Sequence, residues 1–378
     1  MPEGALSGII VADFSRVLAG PLCSQTLADL GADVIKVERP DGGDDTRQWG
    51  PPYVDEGSTY YLGLNRGKRS LTLDLRDDAD KEIAHELCRR ADVIIESFRP
   101  GTMDRLGFGW ETVKAYNPRA VYTSISAFGS NEAAAVLPGY DLLVQAMSGY
   151  MSITGATDGP PMRPGTALVD LTTGLYAATG TLAALQERER SGKGQHLEVA
   201  LLESAFAMLL NVGSGFLNTG ELPQRTGNAH PSIAPYQTFP TATEDLALAA
   251  GNDAIFVRLC EEIGEADLAT DERFATNAAR VENREPLVSI LTSIFATESA
   301  SNWAVRLTAA GVPAGPVNDV GQAYEFAEGL GLDPIVDLDG VRSTRSPMRL
   351  DRTPADPIRR PPRLGEHNDE LRAWLASD

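Results

Sequence analysis

The chain has 378 residues, of which 42% are hydrophobic and 23% are charged; such a composition is ordinary for a soluble globular protein of about two domains. The 53 acidic residues outnumber the 33 basic ones and give a formal net charge of −20 at pH 7. That excess of negative charge disfavours nucleic acid and anionic membranes as partners.

The first 130 residues alternate between short apolar runs and amphipathic segments. Gly8–Phe14 predicts a strand, a turn and a helix through Asp29 follow, and Ala32–Val37 predicts the next strand. Strand, helix and strand in this order are the unit of a parallel sheet. The alternation continues with a strand at Ser70–Leu75, a helix at Asp78–Arg90 and strands at Ala91–Glu96 and Arg119–Ser126. The first turn lacks the G-x-G-x-x-G pattern, so NAD is not expected.

The second half of the chain predicts an inserted domain. A proline-rich stretch at 218–243 breaks the periodicity, helices follow near Ala254–Ile263, Arg284–Ala296 and Ser301–Ala310, and a second Arg- and Pro-rich stretch covers 342–362. We therefore predict a large α/β domain at 1–217, a linker and active-site loop at 218–243, and a small domain at 244–335. Residues 336–378 would form a second linker and a C-terminal segment that returns to the large domain.

The segment Arg163–Glu189 combines a Pro-Gly turn, a short apolar run and about five turns of helical spacing. Asp170 stands where an N-cap residue would stand, facing free backbone N–H groups and the positive end of the helix dipole. A carboxylate held there suits a cap and equally suits a nucleophile. The spacing alone favours the cap.

Several chemistries find no support in the sequence. The four histidines (His85, His196, His230, His367) form no ligand pair, so no metal site is expected. The G-x-S-x-G elbow and the Walker spacing are both missing. The three cysteines are widely spaced, the N-terminus does not resemble a signal peptide, and no apolar run approaches the ~20 residues of a membrane span. We therefore expect a cytoplasmic protein that does not span a membrane.

Basic residues gather in the N-terminal half, mostly after predicted strands, where open α/β sheets bind ligands. Guanidinium groups suit phosphates, and a phosphorylated ligand would need several of them. Scattered surface charge explains the pattern equally well at this stage. The residues concerned are Arg39, Arg66, Lys68, Arg69, Arg76, Arg99 and Arg105.

Seven fragments, in order and at consistent separations, carry a family resemblance. They are AGP at 19–21, LGADVIKVERP at 30–40, NRGKRSLTLD at 65–74, FRPG at 98–101, SGKGQHLEVAL at 191–201, GNAHPSIAPYQ at 227–237 and LGEHNDEL at 364–371. In these fragments the chain resembles the class III coenzyme A transferases, the CaiB/BaiF type that includes formyl-CoA transferase and carnitine CoA-transferase. The resemblance runs almost from end to end.

The resemblance implies a Rossmann-like large domain with a parallel open sheet, a smaller inserted α/β domain, and a homodimer of interlocked chains. It places the family's nucleophile on Asp170. Ser97 departs from the asparagine of formyl-CoA transferase. The positions that the resemblance assigns to the coenzyme A site are Leu18, Ala19, Arg39, Leu73, Arg76, Ser97, Phe98, Arg99, Arg105 and Tyr140.

The reaction implied is transfer of coenzyme A from an acyl-CoA to a free carboxylic acid, through aspartyl anhydride and aspartyl-CoA intermediates on Asp170. The CoA thioester is a substrate, and no permanently bound cofactor or metal is expected. The chain lacks the GGGG run of formyl-CoA transferase and carries GNAHPSIAPYQ, similar to relatives that use succinyl-CoA. This favours succinyl-CoA as donor over oxalate chemistry, with His230 and Gln237 as candidates for the acyl pocket.

Three alternatives remain open. An α-methylacyl-CoA racemase shares the fold and has its aspartate at the position of Asp170. A catalytically silent acyl-CoA-binding protein would keep the fold without CoA exchange. A CoA-ester lyase or hydratase is the third.

Overall fold

The computed structural model describes residues 4–356 and 359–377 and divides the chain into two structural units. Unit 1 combines the residues up to Tyr150 with Pro164–Glu221 and with the chain from Gly331 onward. Unit 2 combines Met151–Arg163 with Leu222–Leu330. Each unit has a hydrophobic core of its own.

Unit 1 contains the predicted parallel sheet. The strands up to residue 200 are β1 (Ile10–Asp13), β2 (Asp33–Glu38), β3 (Tyr53–Val54), β4 (Gly57–Ser58), β5 (Lys68–Thr72), β6 (Val93–Glu96), β7 (Val121–Ser126) and β8 (His196–Ala200). Six of them form one sheet in the order β5-β2-β1-β6-β7-β8, and every neighbouring pair is parallel. The predicted α/β fold with an open parallel sheet is confirmed.

The strand order reverses between β1 and β6. The chain first builds outward from β1 through β2 to β5, and then crosses over to continue with β6 on the other side of β1. Loops that leave β1 and β6 therefore diverge to opposite faces and open a crevice at the carboxyl edge of the sheet. Ligands of doubly wound folds bind in this crevice.

Helices cover both faces of the sheet. Alternate strand residues point to opposite faces, so Val11 and Val34 lie in one core while Ala12 and Ile35 lie in the other. Helices α1 and α8 pack on the first face, and α3 packs on the second. The helices of this part are α1 (Ala19–Asp29), α2 (Thr59–Leu62), α3 (Asp78–Arg90), α4 (Thr102–Leu106), α5 (Trp110–Tyr116), α6 (Glu132–Ala135), α7 (Asp141–Met147), α8 (Leu168–Ser191), α9 (Leu201–Met208) and α10 (Leu210–Thr219).

Helix α8 differs from its prediction at its start. It begins at Leu168 with Ala167 as its N-cap residue, so Asp170 lies inside the first turn and is not the cap. The helix crosses α1 closely, because a Cβ atom on Gly174 would lie 2.7 Å from the carbonyl oxygen of Ala19. With 24 residues and a hydropathy of 1.2, α8 also meets the length and composition of a membrane span, contrary to our expectation that no segment would. Its buried face belongs to the core of unit 1.

Unit 2 is an antiparallel sheet with helices packed on it. Its strands β9 (Tyr236–Phe239), β10 (Leu246–Ala249) and β11 (Ala314–Pro316) pair in the order β11-β10-β9. Phe239, Leu246 and Leu248 point into a core shared with Phe295 and Trp303. The helices are α11 (Asp253–Glu262), α12 (Asn277–Glu282), α13 (Arg284–Phe295), α14 (Ala300–Ala309) and α15 (Val320–Gly329).

One segment lies in a different unit from the one that the sequence suggested. We placed 151–163 in the large domain, but the structure groups it with unit 2. The side chain of Arg225 explains this, since its guanidinium donates hydrogen bonds to the carbonyl oxygens of Ser152, Ala156 and Gly159. No sequence pattern announces such a long-range contact.

The C-terminal part belongs to unit 1. It contains the hairpin β12 (Ile335–Leu338) and β13 (Val341–Thr344) and ends in α16 (Asn368–Ala376). Leu371 of this helix is fully buried in the core beside α3. The Asn368 side chain accepts a hydrogen bond from the backbone N–H of Thr72 at 2.8 Å, which ties α16 to the end of β5.

Candidate active site

Two cavities lie at the carboxyl edge of the parallel sheet in unit 1. The larger cavity, about 530 Å³, is lined by residues that follow β1, β2, β5 and β6. The second, about 240 Å³, lies where the strand order reverses and is lined by the loops after β1, β6 and β7 together with Asp170; we call it the Asp170 cavity. Arg16 and Phe98 line both cavities. The two spaces are therefore adjacent parts of one crevice.

Asp141 supplies the cap that the sequence assigned to Asp170. Its Oδ1 atom accepts hydrogen bonds from the backbone N–H groups of Val169 at 3.0 Å and of Asp170 at 3.1 Å. Its Oδ2 atom accepts a hydrogen bond from the Gln145 side-chain amide. Capping by a residue of another helix leaves the Asp170 side chain free. The Asp170 carboxyl has no hydrogen bond or ion pair with any residue that the structure describes.

The environment of Asp170 makes its carboxylate costly to ionise. Burial, and secondarily the nearby charge of Asp141, raise the pKa of Asp170 to about 7. Burial and the charges of Asp170 and Asp141 also raise the pKa of Tyr60 to about 12, so that phenol stays protonated at neutral pH. A carboxylate that is poorly solvated, unpaired and open to a cavity is a strong candidate for a nucleophile.

The loop after β1 is held by a buried ion pair. Lys36 Nζ lies 2.9 Å from the Asp44 carboxylate, and both side chains are completely buried. Burial alone would raise the pKa of Asp44, but the Lys36 ammonium holds it well below its usual range. The same carboxylate accepts the backbone N–H of Val17 at 3.3 Å, and Val17 has a left-handed backbone with φ of 71°. This strained turn brings Leu18 and Ala19 to the wall of the Asp170 cavity.

The loop after β6 is tied to the loop after β1. Ser97 Oγ accepts the backbone N–H of Arg16 at 3.0 Å, and the Arg16 guanidinium lies over the Phe98 ring at 5.0 Å. Glu96 accepts the backbone N–H of Phe98 at 2.8 Å, and its burial raises the pKa of that carboxyl to about 7. These contacts fix the wall that the two cavities share.

Comparison with known proteins identifies the family. The model of CoA-transferase family III matches residues 6–368. The chain belongs to this family of CoA-transferases. It is 42% identical to the succinate–glutarate CoA-transferase of Agrobacterium fabrum, over 98% of this chain and 95% of that protein. It is 41% identical to the acetyl-CoA:oxalate CoA-transferase of Acetobacter aceti, over 100% of this chain and 97% of that protein.

A solved structure agrees with this assignment. The crystal structure of a CAIB/BAIF family protein from Brucella suis superposes with a TM-score of 0.90 at 41% identity, covering 99% of this chain and 100% of that one. The family resemblance seen in the sequence is confirmed, and so is the prediction of a CoA-transferase.

Most of the positions predicted for the coenzyme A site of this transferase line the two cavities. Arg39, Leu73, Arg76 and Phe98 line the larger one. Five further predicted positions line the Asp170 cavity: Leu18, Ala19, Ser97, Arg99 and Tyr140. Arg105 is not among the described residues that line either cavity; it is exposed and donates a hydrogen bond to Thr102 Oγ1 at 3.0 Å.

Three members of the basic group are structural. Arg66 pairs with Asp29, Lys68 pairs with Asp13, and Arg69 pairs with Asp33; all three cationic residues are buried. These residues hold the sheet and its flanking helix together. They are therefore not available to a phosphate at the carboxyl edge.

Sequence reasoning missed four residues at this edge. Arg16 and Asp45 lie in loops after β1 and β2, and a polar residue directly after a predicted strand was the signal that could have found them. Asp141 precedes an apolar run, as a helix start does. Tyr60 carries no recognisable signal, because only the tertiary fold places it near Asp170.

The two acyl-pocket candidates lie in unit 2 and have different surroundings. Gln237 lies on β9 and lines a cavity of about 390 Å³ on the open face of the three-stranded sheet. His230 is not among the described residues that line it. Its Nδ1 atom accepts the backbone N–H of Ser232 at 3.1 Å, and its ring packs edge-on against Tyr236.

The described residues contain no cluster of side chains suited to binding a metal ion. Among residues 4–356 and 359–377, no three His, Cys, Asp or Glu side chains are grouped so that they could hold a metal ion. The cysteines Cys23, Cys88 and Cys260 are buried free thiols. Burial raises the pKa of Cys88 to about 12 and that of Cys260 to about 11, so these thiols are unreactive at neutral pH.

Proposed function

We propose that this CoA-transferase works by covalent catalysis on Asp170. The observation that carries the proposal is the free, half-buried carboxyl of Asp170 at the strand-order reversal, with its neighbour Asp141 occupied as the helix cap. A carboxylate in this position needs no metal and no second base to attack a thioester. Near pH 7 a substantial fraction of Asp170 is ionised and poorly solvated.

The reaction divides into four balanced steps. The Asp170 carboxylate attacks the thioester carbonyl of the donor, the C–S bond breaks, and CoA leaves as a thiolate from an acyl-aspartyl anhydride. The thiolate attacks the aspartyl carbonyl, which releases the donor acid and leaves an aspartyl-CoA thioester. The acceptor carboxylate displaces the thiolate to form a second anhydride. The thiolate then takes the acceptor acyl group and frees Asp170.

The two cavities of the crevice suit the two ends of an acyl-CoA molecule. The larger cavity has the volume and the arginines for the phosphorylated nucleotide, with Arg16, Arg39 and Arg76 on its wall. The reactive thioester would lie in the Asp170 cavity. Arg16 and Phe98 would contact the section between them.

For the substrates, we propose succinyl-CoA as donor and a dicarboxylic acid such as glutarate as acceptor. Support comes from relatives named succinyl-CoA:glutarate CoA-transferase in mouse, 39% identical over 97% of this chain and 85% of that protein, and from the Agrobacterium fabrum protein. A second candidate is acetyl-CoA with oxalate. The Acetobacter aceti relative is almost equally similar, so our preference against oxalate stays a prediction.

We also propose that the enzyme is a homodimer with interlocked chains. Unit 1 exposes an unusual number of large apolar side chains on α7 to α10, and single soluble chains rarely leave so many uncovered. Light scattering of the purified enzyme measures the oligomeric state. The exposed side chains are Leu142, Leu143, Met147, Leu175, Tyr176, Phe206, Leu210, Phe216 and Leu217.

Trapping the acyl-enzyme tests the mechanism. Wild-type enzyme incubated with succinyl-CoA and hydroxylamine should lose activity and gain a hydroxamate on the peptide that contains Asp170. Enzyme with hydroxylamine alone is the control. The Asp170→Asn variant should bind CoA, gain no label and show no transfer. Near-normal transfer by this variant would rule the mechanism out.

The substrate proposal is tested separately, with a matrix of donors and acceptors. Succinyl-CoA and acetyl-CoA are each combined with glutarate, mesaconate and oxalate, and the new CoA esters are identified by mass spectrometry. We expect the highest kcat/KM for succinyl-CoA with glutarate. Preference for acetyl-CoA with oxalate would instead assign the second candidate.

A further inference from the structure

Two arginines from different loops of unit 1 share one carboxylate. Asp45 begins a one-turn 3₁₀ helix, Asp45–Gln48, in the loop after β2. Its Oδ1 atom accepts a hydrogen bond from Arg39 Nη2 at 2.6 Å, and its Oδ2 atom lies 3.5 Å from Arg16 Nη1. The Arg39 and Arg16 side chains are 51% and 41% exposed, and that of Asp45 is 34% exposed. Solutes can therefore reach all three charged groups.

Both arginines have further contacts that hold them without Asp45. The Nε atom of Arg39 donates a hydrogen bond to the Gly43 carbonyl at 2.9 Å. The Arg16 guanidinium lies over the Phe98 ring, and its backbone N–H donates to Ser97. Asp45 is therefore not required to place the two cations. Its effect on them is electrostatic.

The neighbouring carboxylates of Asp44 and Asp45 have opposite roles. Asp44 is buried and fixed by Lys36 and by the N–H of Val17. Asp45 has hydrogen-bond and ion-pair partners only in the two exposed arginines, as far as the described residues show. Side chains in exposed ion pairs exchange partners at little free-energy cost. Asp45 can therefore leave the arginines when a stronger anion arrives.

We infer that Asp45 is a displaceable competitor for the CoA phosphates at Arg16 and Arg39. The inference rests on the proposed function, which places the CoA nucleotide in the larger cavity. A phosphate group uses the same planar guanidinium donors as a carboxylate. Two anions cannot share these donors without repulsion, so a phosphate that binds must displace Asp45 or bind against its charge.

This competition sets the affinity for CoA and its release. A CoA-transferase must release an acyl-CoA in every turnover, and very tight binding of the nucleotide would slow that step. Asp45 returns to the arginines as the product leaves, which lowers the free-energy cost of release. Asp45 thus lowers the affinity for CoA and in this way speeds the release of the acyl-CoA product.

Calorimetric titration of CoA into the full-length enzyme at low ionic strength tests the inference. Asp45→Asn should bind CoA about tenfold more tightly than wild type, the scale of one nearby unit charge. Asp41→Asn is the matched control, because Asp41 lines the larger cavity together with Arg16 and Arg39 but forms no ion pair within the described residues. It should change the affinity clearly less than Asp45→Asn does, since its carboxylate is not within ion-pair distance of either arginine and Coulomb energy falls with distance.

Salt separates competition from a structural effect. At about 1 M salt, where the Debye length is about 3 Å, the difference between Asp45→Asn and wild type should largely vanish. Thermal unfolding checks that both variants fold. Titration with dephospho-CoA, which has no 3′-phosphate, shows which phosphate of CoA competes with Asp45. If Asp45→Asn still binds this ligand more tightly than wild type does, the competing group is the diphosphate. If the two proteins bind it equally, the competing group is the 3′-phosphate. Either result supports the competition.

Other outcomes overturn the inference in distinguishable ways. If Arg39→Ala weakens CoA binding while Asp45→Asn gives no gain, CoA binds in the proposed cavity but Asp45 does not compete. If Asp41→Asn gives the same gain as Asp45→Asn, general charge repulsion accounts for the result. If neither Arg39→Ala nor Arg16→Ala changes CoA affinity, the proposed nucleotide site and the inference both fail.

Discussion

The backbone N–H of Asp170 donates a hydrogen bond to the side chain of Asp141 at 3.1 Å, so the two carboxyl groups are neighbours with separate tasks. Asp141 caps helix α8 and Asp170 faces the cavity. The fixed charge of the first makes ionisation of the second more difficult. This coupling makes the activity of the enzyme depend on pH in a specific way.

We expect kcat/KM to rise with pH through about 7, because only the ionised Asp170 attacks and its pKa is about 7. In Asp141→Asn, burial still raises the pKa of Asp170, but the repulsion is gone. The midpoint should therefore fall by about one pH unit, the scale of one adjacent charge. Initial rates between pH 5 and 9, at subsaturating substrate, measure the shift.

Asn is the appropriate replacement at position 141, because its Oδ1 can still accept the two backbone N–H groups. Once the Gln145 amide flips, the Asn amide can also donate to Gln145 Oε1, which is buried and has no hydrogen-bond partner among the described residues. Asp141→Ala is the contrasting variant, since it removes the cap and should also destabilise the enzyme by about 1 kcal/mol. A midpoint that stays unchanged in Asp141→Asn would contradict the coupling.

Local sequence signals were sufficient to predict several elements of unit 1. The helix Asp78–Arg90 was predicted with its observed bounds, because acidic residues at its start and Arg89 and Arg90 at its end complement the helix dipole. The strands predicted for the parallel sheet lie within a few residues of β1, β2, β5, β6 and β7, because buried parallel strands are rich in apolar residues. The short strands β3 and β4 and the antiparallel strands of unit 2 were not predicted.

Long-range contacts explain the errors. The cap of α8 comes from Asp141, 29 residues before Asp170, and a search for local caps cannot find it. The roles of Lys68 and Arg69 depend on Asp13 and Asp33, which neighbouring elements bring to them. Charge alone could not separate these structural cations from Arg39, which remains accessible at the cavity.

Replacing different arginines by alanine should weaken CoA binding by different amounts. Arg39→Ala should weaken CoA binding by about 1.5–3 kcal/mol, the scale of a charge-assisted hydrogen bond, which is about 10- to 150-fold. Arg105→Ala should have a smaller effect, because Arg105 is exposed and outside both cavity linings as described. Calorimetry with CoA measures both. Arg273→Ala, in an exposed ion pair of unit 2, is the control.

An equal loss in the Arg39 and Arg105 variants would show that Arg105 reaches the nucleotide in the complex. Unchanged CoA affinity in both variants would show that neither arginine contributes to CoA binding and that both are ordinary solvent-exposed side chains. The Arg273 control excludes an effect of removing any positive charge, since its ion pair with Asp271 lies in the other unit.

The candidates for the acyl pocket can be ranked by their surroundings. Gln237→Ala should alter the preference between glutarate and smaller acids while leaving CoA affinity unchanged, because Gln237 lines a cavity. His230→Ala should alter it less, since the His230 ring is engaged by Ser232 and Tyr236 within its own loop. Competition between two acids for one donor measures the preference. Identical product ratios for Gln237→Ala and wild type would exclude Gln237 from the pocket.

CoA transfer and racemisation could both use Asp170, but they need different numbers of acid–base groups. Removing and returning a proton α to a thioester requires two acid–base groups on opposite faces of the reacting carbon, with pKa values near neutral. Racemases that resemble this chain have a histidine in a GHD motif, where this chain reads Gly139-Tyr140-Asp141. Tyr140 is 67% exposed, and a phenol is a much weaker general base than an imidazole at neutral pH.

The other titratable neighbours of Asp170 in the described part of the chain are equally unsuited to racemisation. Asp141 is occupied as the cap of α8, and the pKa of Tyr60 is about 12. A lone Asp170 suffices for a nucleophile but not for a two-base exchange. We therefore expect enzyme, 2-methylacyl-CoA and D₂O to give no α-deuterium by mass spectrometry, whereas succinyl-CoA with an added acid gives CoA exchange. Rapid α-deuteration without exchange to any acid would instead identify a racemase.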